Sequence, residues 1–148
     1  MTGNKYEVTL DETWDLFGQF LSGARAGDIC IVSTATLSNA ARAALESSAK
    51  ALEYGDGACT YVATQELEGN ALFALIEGID PFHLIATDEA SANMLGQAYR
   101  KEVPLDNDTR LSGRTCIALS DFEAMLETPE RKQVAWALLK RIEKAPHR

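Results

Sequence analysis

The residues of this chain that could do chemistry are few and scattered. There are three cysteines, Cys30, Cys59 and Cys116, and two histidines, His83 and His147. A redox or thiolate metal site needs thiols at close spacing, such as CxxC, and no pair here has it. Each cysteine sits inside a short apolar run, which predicts small buried strand residues. An odd count also argues against a disulfide framework. A serine or cysteine nucleophile needs a base beside it, yet His83 falls inside the run Phe82–Ala86 and His147 lies in the tail. His83 is therefore expected to be a core or sheet residue with a satisfied hydrogen bond, and no catalytic residue is assigned.

Hydroxyls and carboxylates cluster differently. Just after the apolar runs come Ser33-Thr34-Ala35-Thr36, Thr64-Gln65-Glu66, Thr87-Asp88-Glu89 and Ser120-Asp121. If the runs are parallel strands, these segments share the carboxyl edge of the sheet, where ligands of such folds bind. Ser33, Thr34, Thr64, Asp88 and Asp121 are the candidate binding residues. The ring holds no Lys, Arg or His. The turn after the first strand has neither GxGxxG nor GxxxxGK[ST], so no phosphate cradle is expected. Asp88, Glu89 and Asp121 have the oxygen chemistry of a Mg²⁺ or Mn²⁺ site. They have equally the placement of first-turn acids that complement helix dipoles, and capping is the favoured role. No cofactor and no metal is expected.

The elements that must position these residues alternate. Thr9-Leu10-Asp11-Glu12 has the form of a capping box, with Trp14, Phe17, Phe20 and Leu21 following at helical spacing. Strands are predicted at 28–33, 58–64, 82–86 and 115–119. Helices are predicted from Asn39 to about Tyr54, from Asn70 to Ile76, after a cap at Thr87 or Asp88, from Asp121 to Leu126, and from Thr128-Pro129 onward. In the last of these, Val134, Ala135, Leu138, Leu139 and Ile142 form the buried stripe. The segment 102–109 reads as a loop. Strands that alternate with helices pair in parallel through right-handed crossovers, and strands apolar on both faces need helices on both sides. The expectation is one α/β domain over residues 1–148, a three-layer α/β/α sandwich around four parallel strands.

Charge limits the partners. The net charge is −8, but residues 1–99 carry 4 Lys/Arg against 14 Asp/Glu, and residues 100–148 carry 10 against 8. Phosphate contacts dominate nucleic-acid affinity, so the acidic bulk weighs against DNA as a partner. No stretch has the roughly 20 apolar residues of a membrane span, and the first residues lack a signal-peptide pattern. A cytoplasmic location is the resulting expectation. A homodimer is the oligomer that base rates favour.

The carboxyl-terminal third carries a resemblance. The segment from Asp121-Phe122-Glu123 through Thr128-Pro129-Glu130-Arg131-Lys132 to Trp136-Ala137-Leu138-Leu139-Lys140 resembles the end of bacterial and archaeal uracil-DNA glycosylases. Leu72-Phe73-Ala74-Leu75-Ile76-Glu77-Gly78-Ile79-Asp80-Pro81, followed by Leu84-Ile85-Ala86, is similar to that family's helix, Pro and third strand. The likeness covers residues 28–144 loosely and 70–142 more closely, and it rests on scaffold positions. It implies a four-stranded sheet in the order 2-1-3-4. The motif positions differ. Ser33-Thr34-Ala35-Thr36-Leu37 stands where the family has a Gly-Glu-Ala-Pro-Gly-like loop, Thr64 where it has the base-reading Asn, and Asp121-Phe122 where it has His-Pro. An ionised Asp has no proton to give a departing base at neutral pH. The iron–sulfur branch needs four cysteines outside the strands, and the DNA-intercalating loop is unrecognisable. The resemblance thus implies a pseudoenzyme, a domain without glycosylase activity acting as a binding or interaction module for a protein or small molecule. The alternative is a divergent enzyme or nucleotide-binding protein that uses the Ser/Thr/Asp/Glu cluster, with or without a divalent metal.

Overall fold

The computed structural model describes residues 5–145, with side chains from residue 9 onward. Short β-branched runs become the strands β2 (Ile29–Ser33), β3 (Cys59–Ala63), β4 (His83–Ala86) and β6 (Arg114–Ala118), and all four pair in parallel. Two further strands flank them. β1 (Leu21–Gly23) lies antiparallel on β3, and β5 (Asn107–Leu111) lies antiparallel on β6. Among the described residues the sheet therefore has six strands in the order β1-β3-β2-β4-β6-β5, and the expected four-stranded sheet is corrected to this.

Both extra strands lack the apolar signature of a buried strand. β5 is the polar run Asn-Asp-Thr-Arg-Leu on an edge, where charged side chains also discourage pairing with another chain. It joins β6 through Ser112-Gly113, both at positive φ (53° and 83°). That is the geometry of a two-residue type I′ hairpin. The segment expected as a loop over 102–109 is thus partly strand. β1 is only three residues long, and Leu21, read at helical spacing, belongs to it.

Among the described residues, six α-helices cover the sheet. They are α1 (Lys5–Phe17), α2 (Asn39–Ala51), α3 (Gly69–Ile79), α4 (Glu89–Tyr99), α5 (Phe122–Met125) and α6 (Pro129–Leu139). Strand residues alternate between two cores. Ile29, Ile31, Tyr61, Ile85 and Ile117 pack with Leu45 of α2, Phe122 of α5 and Leu138 of α6. Cys30, Val32, Val62, Leu84 and Cys116 pack with Leu72 of α3 and Leu95 of α4, and Trp14 of α1 joins them. This gives three layers. Among the described residues no helix is long and apolar enough to cross a membrane.

Two helix expectations change. α1 already runs through Thr9, so that residue lies inside the helix and not at its start. The hydroxyl of Thr13 donates back to the Thr9 carbonyl at 2.8 Å, and a Cβ on Gly78 would meet Thr13 Oγ1 at 1.8 Å. Only glycine lets α1 approach α3 this closely. Val134, expected in the buried stripe of α6, is 53% exposed. The stripe is narrower, formed by Ala135, Leu138 and Leu139, with Ile142 beyond the helix end.

Candidate functional site

The carboxyl edge of the sheet brings the expected residues together, and hydrogen bonds tie them to one another. Asp88 ends the turn after β4 and caps α4. Its carboxylate accepts from Ser91 N at 2.8 Å, and Ser91 Oγ in turn reaches Asp88 N, a reciprocal capping box. The same carboxylate accepts from Thr34 N at 3.0 Å and from Thr34 Oγ1 at 2.7 Å. Burial pushes this carboxyl upward, but the donors from Thr34 and Ser91 outweigh it and hold the pKa below 3.8. An anion that accepts several N–H and O–H bonds is stabilised in that form.

Ser33 and Thr64 face inward. Ser33 is buried, and its hydroxyl lies 2.8 Å from the Ala35 carbonyl and 3.4 Å from that of Val62. Thr64 is buried too and donates to the Ser33 carbonyl at 3.2 Å. Asp121 is exposed and caps the single turn of α5, accepting from Ala124 N at 3.1 Å. Its backbone pairs with that of Asp88 as an isolated antiparallel bridge. All five candidates thus sit at one edge, each engaged in a cap, a turn or a loop tether.

Glu123 was not among the expected residues. Its carboxylate accepts from Ser38 N at 2.8 Å and from Ser38 Oγ at 2.6 Å, tying α5 to the start of α2. The loop after β2 is therefore pinned by Asp88 on one side and Glu123 on the other. Glu123 could have been suspected as a first-turn acid, but nothing in the sequence pairs it with Ser38, 85 residues away.

Arg42 was also missed, and it brings a cation near a ring expected to lack one. A cleft of about 180 Å³ beside β1 includes Ser33, Ser22, Tyr61 and Arg42. The Arg42 guanidinium lies 4.4 Å from the Tyr61 ring centroid and donates to Ser22 Oγ at 2.6 Å. The Tyr61 hydroxyl donates to Glu46 at 2.7 Å, and burial together with that carboxylate raises its pKa above 10.0. A buried phenol held protonated in this way is not a proton-transfer group at neutral pH.

The thiols and the imidazole have other surroundings. Burial raises the pKa of Cys30, Cys59 and Cys116 to about 12, which keeps them as inert thiols at neutral pH. His83 is buried in β4, edge-on to Tyr54 with ring centroids 6.0 Å apart. Its Nδ1 lacks a hydrogen-bond partner, contrary to the satisfied bond expected. Burial lowers its pKa below 6.5. His83 lies at the amino end of β4, on the opposite edge of the sheet from Asp88 and Asp121.

No family model matches the chain, and no curated protein matches it.

The cap at Asp88 has a testable energy. Asp88→Ala removes one cap bond and both tethers to Thr34, and the expected loss is about 1–3 kcal/mol at neutral pH. The stability given by a carboxylate with a depressed native pKa is present above the unfolded value and fades as pH falls through the native one. The difference between wild type and variant in urea unfolding should therefore be full at neutral pH and shrink well below pH 3.8. A constant difference across that range would refute the role of the ionised carboxylate.

Proposed function

We propose that the chain is a uracil-DNA-glycosylase-like domain that has no glycosylase activity and works as a binding or interaction module. The observation that carries this reading is the strand-edge ring closed on itself. Asp88 and Glu123 hold the loop after β2, Ser33 and Thr64 bond to main-chain carbonyls, and Asp121 caps α5. Acid–base catalysis needs a group with a proton to give or take and freedom to reach the substrate. The exposed Asp121 carboxylate is instead engaged in capping a single turn, accepting from Ala124 N. The metal-dependent alternative has less support, because among the described residues no three His, Cys, Asp or Glu side chains gather into a set that could hold a metal ion.

Two assays test the proposal. Uracil-containing single- and double-stranded DNA at low salt should show no base excision above background. Excision that disappears in Asp121→Asn would overturn the reading. In parallel, Mg²⁺, Mn²⁺, nucleobases and nucleotides should leave the melting temperature unchanged. A ligand of the native state raises it, by roughly 2–4 °C per kcal/mol for a chain near this size. A rise that is lost in both Asp88→Asn and Asp121→Asn would favour the enzyme or nucleotide-binding alternative.

A further inference from the structure

A second concavity lies away from the strand edge, between α2 and the pair α5–α6. On α2, Ala40 and Ala44 stand one turn apart, so their short side chains leave room on the face turned toward α6. Phe122, Leu126 and Trp136 form the opposite wall, and the space between is a cleft of about 260 Å³. Ser48 also lines it, but its hydroxyl donates to the Ala44 carbonyl at 2.8 Å and adds no free polar group. The lining is otherwise apolar, apart from one charge.

That charge is Lys132, exposed at the rim. Among the described residues no carboxylate lies within ion-pair distance of it. A second cation, Lys140, sits 5.8 Å from the Trp136 ring centroid. No acidic residue lines the cleft. An apolar slot edged by an unpaired ammonium group is complementary to a molecule with an apolar body and an anionic head. Ligand pockets for drug-sized molecules run to roughly 300–1,000 Å³, so the occupant is smaller than these.

We propose that this cleft binds an amphipathic carboxylate, with its aliphatic or aryl tail against Trp136, Phe122 and the α2 alanines and its head at Lys132. The site uses none of the five strand-edge candidates, so it stands or falls apart from the glycosylase question. Burying the tail supplies affinity, since apolar area removed from water is stabilising, and the lysine sets the sign of the head group.

Decanoate below its micellar concentration is the probe, titrated by calorimetry and by Trp136 fluorescence in a Trp14→Phe background. Saturable binding and a change in Trp136 emission are expected. Decanol and decyltrimethylammonium should bind more weakly. Lys132→Gln, an exposed change that leaves the core intact, should weaken decanoate about three- to five-fold, the size of an exposed ion pair. Ala44→Leu should fill the slot and abolish binding. Ala40→Leu, at an exposed position, gives the same test if Ala44→Leu does not fold. Absence of saturable decanoate binding overturns the proposal. So does equal affinity for the three head groups, or an amphipathic helical peptide that binds the cleft where decanoate does not.

Discussion

Arg114→Met is expected to lower the free energy of unfolding by about 2–4 kcal/mol. Arg114 opens β6, and its side chain is 9% exposed. Its guanidinium donates through Nε to the Pro81 carbonyl at 2.8 Å, and through its two terminal nitrogens to Glu77 at 2.7 Å and Asp80 at 2.8 Å. Glu77 also accepts from the Tyr99 hydroxyl at 2.8 Å. One side chain thus joins β6 to the end of α3 and, through Glu77, to the end of α4. Burial alone would lower the arginine pKa, but the Glu77 and Asp80 carboxylates outweigh it and raise it above the ordinary arginine value. Methionine keeps the apolar stem but leaves a carbonyl and two carboxylates without their common donor. Arg114→Lys should recover only part of the loss, because an ammonium cannot fork to three acceptors in fixed directions. Urea unfolding at neutral pH checks this, and a change under about 0.5 kcal/mol, the scatter of ordinary surface substitutions, would sink it.

Phe122→Ala should cost about 3–5 kcal/mol, the range for deleting a buried phenyl ring. Phe122 is 1% exposed and follows Asp121 directly. Its amide donates to the Thr87 carbonyl at 2.9 Å, so the backbone is tied to the β4 loop while the ring fills the core under α5 and α6. The expected drop in melting temperature is roughly 10 °C, read by calorimetry. Phe122→Leu should keep most of the stability, since it retains apolar volume. A small effect for Phe122→Ala would mean that α5 collapses into the gap and that the ring is not a fixed wall of the cleft.

Much of the fold was legible because burial writes itself into residue type. Ile29–Ser33 and Cys59–Ala63 are apolar on both faces, and the alternation with helices then requires parallel pairing. A cap at Thr87 or Asp88 and a capping role for Asp121 were legible too, since a short acceptor stands before a helical run, and the structure gives the first to Asp88. β5 escaped because an edge strand needs no apolar face, although the Ser112-Gly113 pair was a turn signal. β1 escaped because three residues carry too little pattern to oppose the helical spacing ahead of them.

The candidate site divides in the same way. Residue types at the strand ends were readable directly, and so was the fact that hydroxyls and carboxylates occupy that edge. The burial of the cysteines was readable too, because their neighbours are apolar. What those groups bond to depends on contacts between loops far apart in the chain. The partners of Asp88 and Glu123 are Thr34 and Ser38, 54 and 85 residues away, and hydrogen bonds between distant loops leave no periodicity to read. The same holds for Arg114 with Glu77 and for Lys132 at the mouth of an apolar cleft. Local chemistry sets the inventory of groups, and the crossovers that bring distant loops side by side set which of them remain free to act.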